Sequence, residues 1–362
     1  MRKTAVISIA VTLVLCRAAT RAEVTIDLVP VGNPGNAGEL SGTGAGDAPE
    51  RICGAVGYAY NIGKYEVTAG QYRDFLNAAD PTGANPYGLY NSEMDTSQWG
   101  CQITWNASAS TYDFSGRPSG TEADWVNRPV NHVSWYDAAM FCNWLTSGNV
   151  NQGAYDTSVA AGWGSSYGSD YTGVTAHDSP EMDDLIHTYG TVYVIPSEDE
   201  WYKAAYYDPN KPGGAGYWDY PTKSDDPNVP SNNLIDPDPG NNATFWDDDY
   251  TIGGPYYRTE VGAHENSESP YGTFDQGGNV FEWNETILEG SDGYWRGLRG
   301  GDYIYWSSYL HANWRPYFYS GPTSEANDVG FRVASVPEPG STMLLVSGAI
   351  AGLIWWRRTR AA

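Results

Sequence analysis

From residue 58 to residue 67 the chain reads Tyr58-Ala-Tyr-Asn-Ile-Gly-Lys-Tyr-Glu-Val67, and its apolar positions alternate with the period of a strand. Thr68-Ala-Gly-Gln71 then opens a helix with a capping-box pattern, and Tyr72, Phe75, Leu76 and Ala79 recur at the spacing that lines one helical face. A second helix is predicted from Ser134, whose hydroxyl can cap it with Asp137 three residues on, and it carries Trp135, Ala138, Phe141, Cys142 and Leu145 inward. A third follows Ile195-Pro196: Ser197-Glu-Asp-Glu200 is another capping box, with Trp201, Ala204 and Ala205 toward the core. Elsewhere the periodicity fails. Residues 23–55 predict an irregular leader, about 85–127 a long packed loop, and 208–242, rich in Pro, Asp, Asn and Gly, a long ordered loop or insertion. No internal repeat is apparent.

The richest local chemistry lies in Tyr271-Gly-Thr-Phe-Asp-Gln-Gly-Gly-Asn-Val-Phe-Glu-Trp283 and in Leu298-Arg-Gly-Gly-Asp-Tyr-Ile304. Paired glycines let the backbone turn with positive φ, and Asp275 and Glu282 place hard oxygen donors on either side of the turn. This predicts a metal-organised loop anchored by Phe274, Phe281 and Trp283, with Arg299-Gly300-Gly301 as a second close approach of backbone to the core.

Both ends carry export chemistry. Arg2 and Lys3, the apolar run from Ala5 to Leu15 and the small residues up to Ala22 predict a secretory signal peptide over residues 1–22. Leu15 is too bulky before Cys16 for lipid attachment there. At the other end, Val336-Pro-Glu-Pro-Gly-Ser341 leads into a hydrophobic run, Met343 to Trp356, and then Arg357, Arg358 and Arg360. That run sits at the short edge of a transmembrane helix with positive charges that stay inside. A simple tail anchor is one reading; the three-part order over residues 336–362 resembles the PEP-CTERM sorting signal, which implies an exosortase-type partner. The expected location is the cell envelope or the exterior, with transient or permanent membrane attachment through the C-terminal helix.

Charge narrows the partners. The chain has 44 acidic and 20 basic residues, and Arg2, Lys3, Arg17, Arg21, Arg357, Arg358 and Arg360 belong to the two tails, so the body is strongly acidic. Nucleic acid is not expected as a partner, while divalent cations are compatible. An aromatic fraction of 14% supplies enough apolar surface for a packed core, which excludes disorder. Beyond the signal peptide there are three cysteines, Cys53, Cys101 and Cys142, so at least one is unpaired. Cys142 lies in an apolar helical pattern as a small hydrophobe; Cys53 and Cys101 could pair, although nothing in their spacing demands it.

Five stretches carry a resemblance: Arg128-Pro-Val-Asn-His-Val-Ser-Trp-Tyr-Asp-Ala-Ala-Met-Phe-Cys-Asn-Trp144, Ile195-Pro-Ser-Glu-Asp-Glu-Trp-Tyr-Lys-Ala-Ala205, Asn279-Val-Phe-Glu-Trp283, Leu298-Arg-Gly-Gly301 and Gly330-Phe-Arg332. In this order, over roughly Tyr58 to Ala334, the chain resembles the formylglycine-generating enzyme, or sulfatase-modifying factor, family. The resemblance implies a single α+β domain over residues 56–335, related to the C-type lectin fold and low in regular secondary structure. It implies calcium held by the side chains of Asp275 and Glu282 with the carbonyls of Gly278 and Val280, and a second calcium site near Asn242, Ala243, Asp248 and Tyr250.

For catalysis the resemblance is unfavourable. Active members carry two copper-binding cysteines after the Arg-Gly-Gly turn, and the matching positions here are Tyr305 and Leu310. A phenol and an isobutyl group cannot replace soft thiolates, so copper is not expected. Neither is iron, because His132, His177, His187, His264 and His311 form no ligand pattern. His311 could line a residual cleft with Tyr305, Trp306, Trp314 and Arg315, or be an ordinary packed histidine. Two functions from different classes remain. One is an exported calcium-stabilised module that binds a peptide, glycan or matrix component. The other is an oxidoreductase acting on protein cysteines or a small molecule through an unidentified site.

Overall fold

A computed structural model describes residues 24–42, 50–157, 177–290, 293–316 and 321–336 of the chain. The signal-peptide reading at residues 1–22 and the hydrophobic run from Met343 lie outside the described residues. Among those described, no helix is long and apolar enough to cross a membrane.

In chain order the elements are β1 (Leu28–Val31), β2 (Glu39–Ser41), β3 (Arg51–Cys53), β4 (Tyr60–Gly63), α1 (Ala69–Ala79), α2 (Glu93–Thr96), β5 (Thr104–Asn106) and β6 (Thr111–Asp113). They continue with α3 (Ala123–Val126), α4 (Trp135–Ser147), α5 (Pro180–Tyr189), β7 (Val192–Val194), α6 (Glu198–Tyr206), β8 (Tyr207–Asp208) and β9 (Gly216–Tyr217). The last are β10 (Phe281–Gly290), β11 (Gly293–Arg299), β12 (Val329–Gly330) and β13 (Ala334–Val336).

Each of the three helix starts read from the sequence closes its capping box. Thr68 Oγ1 accepts from the Gln71 N–H at 3.2 Å while Gln71 Oε1 accepts from the Thr68 N–H at 2.9 Å, and the Ser134/Asp137 and Ser197/Glu200 pairs repeat the exchange. Two donors orphaned by each helix start are thereby satisfied. Helix α4 stops at Gly148, whose φ of 85° only glycine adopts without strain. Helix α5, absent from the sequence reading, has the same kinds of signal: a Ser179 cap and Pro180 in the first turn.

A four-stranded sheet runs in the order β1-β4-β13-β7, and a second sheet joins the β10–β11 hairpin to β12, parallel to β10. Strand β13 sits between β4 and β7, so the end of the domain is stitched to its beginning. The segment read as an irregular leader in fact contributes β1, β2 and β3, and β1 pairs with β4 from Leu28↔Gly63 to Val31↔Tyr60. The stretch read as a packed loop contains α2, α3 and the β5–β6 hairpin. The core lies where α1 and α4 meet the strand end at Phe331: Tyr72 stacks on Phe141 at 6.0 Å, and Phe75 and Phe331 meet Phe141 edge-on at 5.2 and 5.3 Å. Offset and edge-on pairs of this kind add to the area they bury. The fold is a single domain of short helices and small sheets.

Candidate functional site

The glycine-rich loop is locked by its own backbone. Asp275, Gly278 and Asn279 all take positive φ, at 60°, 90° and 61°. A Cβ on Gly278 would fall 2.1 Å from the Thr244 carbonyl oxygen, which itself accepts from the Asn279 N–H at 2.7 Å. Gly278 N–H donates to the Gly300 carbonyl at 2.9 Å, which fastens this loop to the Arg-Gly-Gly turn. Only glycine fits there. The following residues, read as part of a loop, instead begin the ten-residue strand β10, and that strand positions Glu282.

Glu282 is fully buried and held by three donors. Arg332 donates Nε–H to Oε2 at 2.5 Å and Nη2–H to Oε1 at 2.6 Å, and Trp201 Nε1–H donates to Oε2 at 2.7 Å. Asp275 Oδ2 accepts from the Gly262 N–H at 2.6 Å. Burial pushes the Asp275 carboxyl up to about 6, the charge of Glu282 adding to it and Gly262 and Arg332 opposing. Beside them is Glu66, which the sequence reading did not single out. It is 2% exposed, accepts from Asn279 Nδ2–H at 3.2 Å through Oε2, and leaves Oε1 with no partner. Burial, Asp275 and Glu282 raise its carboxyl well above the usual range. Glu66, Asp275 and Glu282 thus set three buried carboxyl groups near the single guanidinium of Arg332. Among the described residues no three His, Cys, Asp or Glu side chains converge as a metal cluster. A cation here would rely on carbonyls such as those of Gly278 and Val280.

The second sequence-predicted set is divided. Asn242 Nδ2–H donates to Asp238 Oδ1 at 2.5 Å, and Ala243 packs with Tyr220, Phe245 and Leu310. Asn242 and Ala243 border a cavity of about 10 Å³, room for one water, with Asp275, Gln276 and His264. Asp248 is exposed, and Tyr250 is half-buried against Trp246 at 4.7 Å.

After Gly301 the chain turns on Asp302, whose Oδ1 accepts from the N–H groups of Ile304 and Tyr305 at 2.8 and 2.9 Å. Tyr305 stacks on Tyr309 at 4.5 Å, and Tyr309 meets Trp314 at 4.1 Å. Trp306 is 48% exposed. Leu310 is fully buried, and a Cβ on Gly301 would come within 2.9 Å of its Cδ1, so the Arg-Gly-Gly turn packs directly on the isobutyl group. The cleft residues read from the sequence separate here. Tyr305 and Trp314 join one aromatic run through Tyr309, whereas Trp306 is exposed and His311 packs edge-on against Tyr220 at 5.2 Å and lies 3.8 Å from Asp219. Arg315 turns inward to Glu198 at 2.8 Å.

Cys53, Cys101 and Cys142 are buried and unbonded to one another. Burial and Glu198 push the Cys53 thiol up to about 11, although Arg299 opposes, and burial raises the other two. Each is therefore a thiol at neutral pH, not a thiolate.

The family model described as a sulfatase-modifying factor enzyme 1-like domain matches residues 32–336, and the PEP-CTERM protein-sorting motif matches residues 335–358. Among solved structures, the Treponema denticola variable protein 1 aligns at 19% identity, with a TM-score of 0.46 over 86% of this chain and 95% of that one. CarF aligns at 20% identity and TM-score 0.45, over 86% of this chain and 99% of its own. PvdO from Pseudomonas aeruginosa aligns at 15% identity and TM-score 0.46, over 87% and 96%. No curated protein matches the chain.

Proposed function

Since the chain belongs to the sulfatase-modifying factor enzyme 1-like family and carries a PEP-CTERM sorting motif, we propose that it is an exported, surface-sorted binding module rather than an oxidase. The sorting motif implies export and exosortase-dependent sorting. The observation that carries the rest is the packing at positions 305 and 310, matched to the copper thiolates of active relatives: a tyrosine stacked on Tyr309 and a leucine sealed in an apolar pocket. Neither side chain can ligate Cu(I), and the three described cysteines are protonated and buried elsewhere. In this reading the glycine-rich loop keeps a structural calcium at Asp275, Gly278, Val280 and Glu282, with Glu66 completing the charge. The exposed aromatic surface around Trp306 is the binding face, and the hydrophobic run after Met343 holds the protein at the membrane until it is processed.

The test is elemental mass spectrometry on the purified protein, together with oxygen uptake in the presence of a cysteine peptide of the sulfatase type. Calcium at about one equivalent, no copper or iron, and no uptake are expected. Bound copper with sustained oxygen consumption would sink the reading and direct attention to the segment from Tyr303 to Arg315.

A further inference from the structure

Two loops meet at the face that carries Trp306. The N–H of Trp246 donates to the Tyr305 carbonyl at 3.0 Å, so the loop of residues 246–257 lies alongside the segment that follows the Arg-Gly-Gly turn. On it Trp246, Tyr250 and Tyr257 follow one another, with ring centroids 4.7 and 5.1 Å apart, all only half-buried. Between the first two rings stand three consecutive exposed carboxylates, Asp247, Asp248 and Asp249.

Neither of these two segments supplies an exposed positive charge. Residues 244–257 and 303–314 contain no Lys or Arg. The two arginines that flank these loops are buried: Arg258 lies beneath the rings, over Tyr303 at 5.5 Å, and donates to the carbonyls of Trp99 and Gly100, and Arg315 pairs with Glu198. Half-buried rings, three exposed carboxylates and no exposed Lys or Arg in either segment attract cations twice over, by ring quadrupole and by charge. Neighbouring rings at about 5 Å and three successive carboxylates address several cationic groups at once rather than one. Alternate side chains of an extended peptide, roughly 7 Å apart on one side, present such a series.

We propose that this face binds a lysine- or arginine-rich polypeptide segment, with Asp247, Asp248 and Asp249 pairing its charges and Trp306, Trp246 and Tyr250 covering its cationic heads. The proposal rests on the binding-module reading and names the ligand class of its binding face. A glycan would use the rings but gain nothing from three carboxylates, and an acidic peptide would be repelled.

The experiment uses the full chain and a fluorescein-labelled decapeptide of alternating Arg and Ser, followed by fluorescence polarisation from 50 to 300 mM NaCl in EDTA. A Glu-Ser decapeptide serves as comparison. Because the whole molecule is anionic, the decisive contrast lies between two triple variants of equal charge change. Neutralising Asp247, Asp248 and Asp249 to Asn should weaken Arg-Ser binding about tenfold and flatten its salt dependence. Neutralising Glu181→Gln, Asp183→Asn and Asp184→Asn on α5 should change it less than about twofold. Trp306→Ala should weaken it about fivefold while leaving the salt dependence as it was, and Trp306→Tyr should restore most of the loss. Thermal melts of each variant confirm that it is folded. Equal losses in the two triple variants, no effect of Trp306→Ala, or equal binding of the Glu-Ser peptide would each overturn the proposal. An oxidase would reveal itself through oxygen uptake, a separate readout, so failure here leaves that question where the metal analysis puts it.

Discussion

Glu198 shows how much of the fold hangs on one side chain. Its buried carboxylate meets Arg51 at 2.8 Å, Arg299 at 2.7 Å and Arg315 at 2.8 Å, and so ties β3, the end of β11 and the segment after Leu310 to the first turn of α6. Burial alone would raise its pKa; Arg299, Arg315 and Arg51 outweigh that and hold it far below the usual carboxylate range. A depressed pKa contributes stability above the ordinary carboxylate value and loses it as pH falls toward the folded one. Glu198→Gln keeps the shape but removes the buried carboxylate charge facing Arg299 and Arg315 and leaves Arg51 to Asp199. It should cost about 3–5 kcal/mol in urea unfolding at pH 7, and its acid limb should be shallower than that of the parent. A loss under about 1 kcal/mol would mean that the arginines re-pair or reach solvent.

At the scale of elements, the segment from Glu325 to Asp328 makes the second strong claim on pH. It is pinned by backbone: His132 N–H donates to Ala326 O at 3.0 Å and Phe281 N–H to Asp328 O at 2.8 Å. It also brings together two carboxyl pairs, Asp137 with Glu325 and Asp302 with Asp328, in each of which one acid disfavours the ionisation of the other. Burial and the facing acid raise Asp137 and Asp302 well above the carboxylate range; burial raises Glu325, with Glu93 adding to it, and Asp328. Raised values mean that the folded chain holds protons the unfolded chain has released, so this contribution is complete in acid and is lost as pH rises through the folded values. Melting temperature should therefore fall as pH rises above the ordinary carboxylate range, and Asp328→Asn, which replaces one acid by an amide donor, should flatten that slope; an unchanged slope would mean that the Asp302 pair does not set it. None of this was legible in the sequence, because Asp137 and Glu325 lie far apart in it and their pairing is a product of the fold. The three capping boxes were legible because each is closed within four residues. The glycine loop was half-legible: its positive-φ turn is local chemistry, whereas β10 became a strand only through its pairing with β11 and β12. Glu66 was missed because a carboxylate on a strand-like stretch ordinarily faces water, and only Asp275 and Glu282, more than two hundred residues on, reveal that it does not.

The whole molecule has a formal net charge of −24, and calcium can act on such a surface in two ways: by diffuse screening, or at a particular buried deficit of positive charge. The two are separable by pH. Around Arg332, burial pushes Asp275 up to about 6, and burial, Asp275 and Glu282 raise Glu66 well above the usual carboxylate range. Without a cation Asp275 keeps its proton in mild acid and releases it as pH rises through about 6, and the stability that proton contributes is lost with it. A bound divalent ion replaces those protons, and its stabilisation therefore grows with pH. Melting temperatures with calcium and with EDTA, matched in ionic strength by NaCl, should nearly coincide at pH 5 and separate by several degrees, on the order of 1–2 kcal/mol, by pH 8. Glu66→Gln leaves the surface charge untouched, since the side chain is buried, and replaces a carboxyl that a bound cation would draw into its anionic form by an amide that cannot ionise. It should shrink the calcium increment. If the increment is independent of pH, or survives undiminished in Glu66→Gln, calcium acts through the acidic surface, and Glu66 and Asp275 hold protons rather than a metal.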